Sequence, residues 1–368
     1  RIWQFYRLKL FNSIILRVCY IVLIVIIKKL LLFMIQSIEQ ANQSKNLIEE
    51  LRSLVQEDWV LMNNEIQAQL NSDIGLINSI SHYIINSGGK RVRPLIVLLA
   101  YKACGKTNNK ESIKAAAMIE FIHTATLLHD DVVDNSDTRR GTVTAHKNFG
   151  NESTILVGDF LYSRAFQIMV EIGHMRIMEI MSEATNTIAE GEVMQLINCG
   201  NPDTTKEQCL DVIYRKTAKL FESAATIGGV LAGQSNKIEA SLNIYGQKMG
   251  MAYQLIDDAL DYSSSYEMMG KEVGDDLSEG KPTLPLIYAL ERANPEMQMI
   301  IRDAITKKDA SHSHKIIDCI EQTGSLALTE SKARESSKKA IDALKQLPNN
   351  QYKEALISLA EFTVNRSF

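Results

Sequence analysis

From residue 34 onward, apolar side chains recur at three- and four-residue steps over long windows, and strict alternation is rare, so the chain predicts helices throughout. Only six prolines interrupt the whole sequence. Between 332 and 347, Ala333, Ala340, Ile341, Leu344 and Leu347 form one stripe, while Lys332, Glu335, Lys338, Lys339 and Asp342 face away. Pro348 stops that pattern. Residues 113–128 are apolar almost all round, with Ala115, Ala116 and Ala117 allowing neighbours to come close, which predicts a central helix. Turn signals fall at 105–109, 201–203, 263–265 and 270–285, and at Asn349 and Asn350. None resembles an interdomain linker, and no fixed-period repeat is visible, so 34–368 reads as one all-α domain.

Residues 1–33 differ, mixing apolar runs with Arg7, Lys9, Arg17, Lys28 and Lys29. Their uncharged run at 18–27 is half of the roughly 20 residues that a membrane helix needs. Basic residues follow the apolar run and no small-residue cleavage site appears, which argues against a secretory signal. Two readings stay open: translated upstream sequence ahead of Met34, or a basic amphipathic helix lying on a membrane surface.

Composition narrows the chemistry. With 40 Lys and Arg against 44 Asp and Glu there is no global field to recruit nucleic acid, so any charge-driven function must come from local clusters. Cys19, Cys104, Cys199, Cys209 and Cys319 have no spacing suited to zinc or a disulfide framework, and a reducing cytoplasm fits. Gly105-Lys106-Thr107 ends like a phosphate-binding P-loop, but Ala100 stands where its first glycine is required and no strand precedes it.

Two acidic clusters share one spacing, Asp130, Asp131 and Asp134 in HDDVVD and Asp257, Asp258 and Asp261 in QLIDDALD. On a helix the first and last aspartates of each lie on one face, one turn apart. Each follows an apolar run, which places it at the mouth of something buried, where unneutralised carboxylates are poorly solvated. Hard divalent cations relieve that cost, magnesium in particular, which takes a few carboxylates plus waters and substrate phosphates. Basic residues accompany them: Lys90, Arg91 and Arg93 in GGKRVRP, then Arg139 and Arg140, Lys216 beside Thr217, Lys271 and Lys281. Two acidic and five basic sites suit two diphosphates, one bridged by metal and one held by Lys and Arg.

GGKRVRP, HDDVVD followed by RRG, YRKTAKLF, YQLIDDALDY and GKEVGDDLSEGKPTLP together resemble the trans-prenyl diphosphate synthase family, in the family's order and across nearly all of 34–368. The nearest likeness is to its bacterial long-chain, octaprenyl-forming members. The resemblance implies an antiparallel helical bundle around a deep apolar cavity, the isoprenoid synthase fold, in a homodimer. It implies that Asp130, Asp131, Asp134, Asp257, Asp258 and Asp261 hold roughly three magnesium ions on an allylic diphosphate. Arg139, Lys216, Thr217, Gln254, Lys271 and Lys281 bind that same group, and Lys90, Arg93, His123 and Arg140 take isopentenyl diphosphate. His129, next to Asp130, is read as structural. The destination implied is a quinone side chain, with peripheral membrane contact for product release.

Product length should depend on the wall beneath the first cluster, on the helix face shared with Thr126 and flanked by Ala125 and Leu127. In the family, bulky aromatics at the first two of these positions give short products, and here both side chains are small. Ile122, Phe121, Ile119 and Met118, one turn deeper, form the expected floor, so a long product is expected. Rival readings are a shorter-chain geranylgeranyl synthase, a terpene cyclase of the same fold, and a non-catalytic regulatory subunit. GGKRVRP with an intact second DDxxD argues against the cyclase, and two intact acidic motifs argue against the subunit.

Overall fold

The computed structural model describes residues 46–107, 110–139, 141–263 and 274–365. The N-terminal extension at 1–33 lies outside them, as do Arg140 and Lys271. Helices follow one another as α1 (Gln56–Gln69), α2 (Gly75–Asn86), α3 (Val92–Ala103), α4 (Lys110–Val133), α5 (Ala145–Phe149), α6 (Asn151–Ile172), α7 (Met175–Asn198) and α8 (Lys206–Val212). A π-helical segment, Ile213–Ala218, leads into α9 (Lys219–Leu231). Then come α10 (Asn236–Asp261), α11 (Asp275–Ser278), α12 (Leu284–Arg292), α13 (Pro295–Lys307), α14 (Ser313–Gln322), α15 (Ser325–Ala343) and α16 (Gln351–Asn365). Among the described residues the only strands are a two-residue ribbon pairing Thr138–Arg139 with Thr142–Val143. No described helix is long and apolar enough to cross a membrane.

Side-chain pairings give the directions. Gly246 of α10 lies against Phe221 and Glu222 of α9, and Gly250 against Ala218, so the two run antiparallel. A Cβ on Gly246 would come 2.4 Å from the Phe221 carbonyl oxygen, so glycine is what lets the backbones meet. Lys114 pairs with Glu171 and His129 lies against Gly158, which sets α4 and α6 antiparallel. Gly228 meets Ala100 while Arg93 lies over Phe221, so α3 and α9 run parallel.

The all-round apolar pattern of α4 does put it at the centre, with Ala115, Ala116, Ala117, Met118, Ile119, Phe121 and Ile122 fully buried. The α15 stripe is likewise buried at Ala333, Ala340, Leu344 and Leu347. That face is wider than its apolar residues, because Ser325, Thr329, Ser336 and Ser337 are buried too. Ser337 donates to the Ala360 carbonyl at 2.7 Å and Thr329 to that of Ser325 at 3.0 Å, so small polar side chains enter the core already satisfied. The stretch 270–285 is not all loop: α11 forms within it and Pro285 sits in the first turn of α12. Asp275 and Asp276 in the first turn of α11 favour it electrostatically.

Candidate active site

Both acidic motifs close C-terminal ends of long helices, Asp130 on α4 with Asp134 just past its last residue, and Asp257, Asp258 and Asp261 on α10. The bundle brings these ends together. Asp130, Asp134 and Asp258 line one pocket of about 170 Å³, with Lys216, Thr217, Gln254 and Lys281 around it. A second hollow of about 550 Å³ adjoins it, sharing Asp130, Asp134 and Lys281, and is lined further by Thr126, Tyr162, Thr185 and Ile188.

At the first motif every aspartate has a cation. Lys216 Nζ lies 3.6 Å from Asp130, and Lys281 Nζ lies 3.3 Å from Asp134. Asp131 is wholly buried and accepts from Arg139 Nε at 2.6 Å. Burial raises the Asp131 pKa, with Arg139 pulling against it. Arg139 therefore braces the motif from behind, outside the lining of either pocket. Burial works against the charge of Lys216 and Lys281, yet carboxylates hold both above the ordinary lysine value: Asp130 and Glu192 for Lys216, Asp276, Glu279 and Asp134 for Lys281.

The second motif sits among acids and amides. Gln254 donates to Asp258 at 2.8 Å, and Thr217 donates to the Gln254 side-chain oxygen at 2.9 Å. Asp261 accepts from the Asp276 backbone N–H at 3.2 Å. Burial, then the Asp276 charge, pushes Asp261 up to about 8 and Asp258 well above the carboxylate range. Asp257 is half-buried beside them, outside the pocket lining.

Three further carboxylates lie outside the two DDxxD motifs. Asp276 lines the pocket with Asp258, Glu279 pairs with Lys281, and Glu192 accepts from Lys216 at 2.6 Å. Asn198 also lines the pocket, and its buried side-chain nitrogen has no hydrogen-bond partner in the protein. Only the GDDLSEGK stretch hinted at any of them. Glu192 and Asn198 sit on α7, a helix whose pattern reads as an ordinary surface helix.

Of the residues expected to take isopentenyl diphosphate, Arg93 on α3 and His123 on α4 meet, Lys90 lies in the loop before α3, and Arg140 is outside the described residues. Arg93 Nη1 is 3.2 Å from His123 Nε2, and the Arg93 guanidinium lies 4.4 Å over the Phe221 ring. Lys90 lies 5.6 Å over Phe362. Gly88 and Gly89 take positive φ, and Arg52 donates to the Lys90 carbonyl at 2.6 Å, so that loop is held by its backbone. Arg91 turns inward to Asn63, Glu120 and the Ile85 carbonyl, which makes it structural. His129 pairs with Asp159 at 3.3 Å and packs on Gly158. Of the expected wall, Thr126 lines the larger hollow, while Ala125, Ile122, Phe121, Ile119 and Met118 are fully buried.

The donor set of hard carboxylate oxygens fits a divalent cation. Among the described residues no three metal-ligating side chains converge to enclose a bare ion, so water and substrate phosphate oxygens would complete its shell.

Residues 75–323 match the family model of the polyprenyl synthetases. The chain is 50% identical over 320 residues to octaprenyl diphosphate synthase of Escherichia coli (strain K12), spanning 87% of this chain and 99% of that one. It is 46% identical over 322 residues to octaprenyl diphosphate synthase of Haemophilus influenzae, spanning 87% and 98%. Its structure is similar to that of a polyprenyl synthase from Caulobacter crescentus, complexed with calcium and isoprenyl diphosphate, with a TM-score of 0.83 and 41% identity over 87% of this chain and 98% of that one.

Proposed function

The chain belongs to the polyprenyl synthetase family and is a long-chain trans-polyprenyl diphosphate synthase, and on that premise we propose that it extends farnesyl diphosphate, or a similar allylic diphosphate, with isopentenyl diphosphate to the octaprenyl length. One observation carries the reading: aspartates of both motifs and two lysines line a single pocket that adjoins a larger hollow. A diphosphate needs that concentration of charge, and a growing hydrocarbon tail needs the adjoining space.

In this reading Asp130, Asp134, Asp257, Asp258 and Asp261 hold divalent ions, with Asp131 fixing Arg139 behind them. Magnesium, when bound, stabilises the negative charge of the leaving diphosphate. Lys216, Lys271, Lys281 and Arg139 take up charge on the same oxygens as the allylic C–O bond breaks and its electron pair leaves with the diphosphate. Thr217 and Gln254 orient it. Lys90, Arg93, His123 and Arg140 hold isopentenyl diphosphate so that its double bond attacks the allylic carbon. A proton then leaves the adjacent carbon for the released diphosphate, which restores an alkene one isoprene unit longer. Apolar walls exclude water that would quench the cation.

The exposed apolar side chains Leu156 on α6 and Ile197 on α7, neither of which lines the hollow, support a homodimer. An octaprenyl tail favours lipid over water, so product release is read as a peripheral membrane contact of a cytoplasmic enzyme.

The test is to incubate the purified protein with farnesyl diphosphate, labelled isopentenyl diphosphate and magnesium, and to separate products by reverse-phase chromatography. A ladder ending at the octaprenyl length supports the reading, and the absence of any labelled apolar product overturns it.

A further inference from the structure

Lys216 has two carboxylate partners of unequal quality. Its Nζ lies 2.6 Å from Glu192 and 3.6 Å from Asp130. The stronger contact is to the residue outside the DDxxD motifs. It is also built into the backbone. Gly191 lets α7 press against the π-helical segment, since a Cβ there would come 2.7 Å from Arg215 Cβ and 2.8 Å from the Lys216 backbone nitrogen. That contact places the next residue, Glu192, within reach of the Lys216 ammonium while still lining the hollow beside Asp130 and Asp134.

Asp130 is asked to serve two cations. In the proposed function it binds a divalent ion, and Lys216 must remain nearby for the diphosphate. One carboxylate cannot neutralise both, and an ammonium resting on Asp130 competes with the ion for its oxygens. Glu192 offers the ammonium another place, one helix away and still at the mouth.

We propose that Glu192 is a positioning residue which draws the Lys216 ammonium off Asp130, so that Asp130 stays open to a divalent cation while Lys216 stays in the diphosphate site. The proposal rests on the prenyl-transfer reading above for what Asp130 and Lys216 bind. Glu192 lines the larger hollow, and it acts on the metal site through Lys216 rather than as a ligand of the ion.

The test is a double-mutant cycle read by metal binding. Binding of Mn2+ alone to Glu192→Gln, Lys216→Met and the double variant is followed by electron paramagnetic resonance of the free ion, with the full chain and no substrate. With Lys216 present, Glu192→Gln should weaken Mn2+ binding about tenfold, as Lys216 falls back onto Asp130. In the Lys216→Met background the same change should cost only about twofold, the through-space loss of one negative charge. Equal losses in both backgrounds overturn the proposal and make Glu192 a metal ligand. No loss in either overturns it as well and leaves the pair a structural tie. Glu192→Asp, which keeps the charge on a shorter arm, should recover part of the Mn2+ affinity. It also guards against misfolding of the amide variant, checked by melting temperature. Wild-type extension of farnesyl diphosphate is scored separately, so a failed prenyl-transfer reading shows as absent product whatever the Mn2+ cycle gives.

Discussion

The two DDxxD motifs have the same spacing, each at the C-terminal end of a long helix, and yet they sit in opposite electrostatic surroundings. Asp130, Asp131 and Asp134 have Lys216, Arg139 and Lys281 within 3.6 Å, 2.6 Å and 3.3 Å. Asp258 and Asp261 have an amide, a backbone N–H and the Asp276 carboxylate. The first is neutralised by protein cations, whereas burial and the Asp276 charge push the carboxyls of the second up. Spacing decides which face of a helix the carboxylates share, and the neighbouring elements decide what charge that face carries.

The largest expected effect tests whether both motifs act in one reaction despite that contrast. Asp134→Asn and Asp258→Asn should each lower kcat by about 10³, as loss of a charge-stabilising group does. A variant of either motif with near-normal turnover would break the idea of a joint site. Lys281 lies between the motifs, close to Asp134 and Asp276 alike. Lys281→Met should reduce kcat/KM for the allylic substrate about 10²-fold, with KM for isopentenyl diphosphate little changed in steady-state kinetics.

Much of this architecture is legible in the order of the residues. Helical periodicity places α4 and α15, and the identical spacings single out the carboxylates, because both are local signals. What no local signal carries is the partner across space. Glu192 reaches Lys216 only because Gly191 admits the π-helical segment. Asp276 joins the second motif only because α11 forms inside what reads as a loop. Arg91 and Arg93 are alike in GGKRVRP, but a left-handed turn at Arg91 sends its side chain inward, while Arg93 meets His123. Ser337 belongs to no apolar stripe and is core, since a hydroxyl satisfied by a neighbouring helix can be buried.

A smaller effect separates the motifs by pH. The Asp261 pKa of about 8 lies above the value of about 4 that it has in an unfolded chain. Between those values the folded protein binds more protons than the unfolded one, so stability is present at the acid side and is lost as pH rises through the window. The metal-free protein should therefore melt at a lower temperature at pH 8 than at pH 6. Asp258→Asn, which removes one of the crowded acids, should raise metal-free stability at pH 8 by on the order of 1 kcal/mol. Asp134→Asn should lower it, because Lys281 loses a counter-ion. Thermal melts of the two variants moving in the same direction would refute the electrostatic contrast between the motifs.

The smallest expected effect on rate, though not on outcome, lies one turn below the first motif. Thr126 and Ala125 are both small, and both belong to the wall expected to set product length. They differ in orientation: Thr126 lines the larger hollow with its hydroxyl donating to the His123 carbonyl at 2.8 Å, and Ala125 is fully buried. A phenylalanine at 126 would project into the space that a growing tail needs, at little cost to the helix. At 125 it must first displace packed neighbours, which costs roughly 1–3 kcal/mol. Thr126→Phe should therefore shorten the product ladder with kcat for the first condensation within a few-fold of wild type. Ala125→Phe should shorten it together with a lower melting temperature. Reverse-phase chromatography and a thermal melt on each variant decide between wall and core: an unchanged ladder in Thr126→Phe would remove that face of α4 from control of chain length.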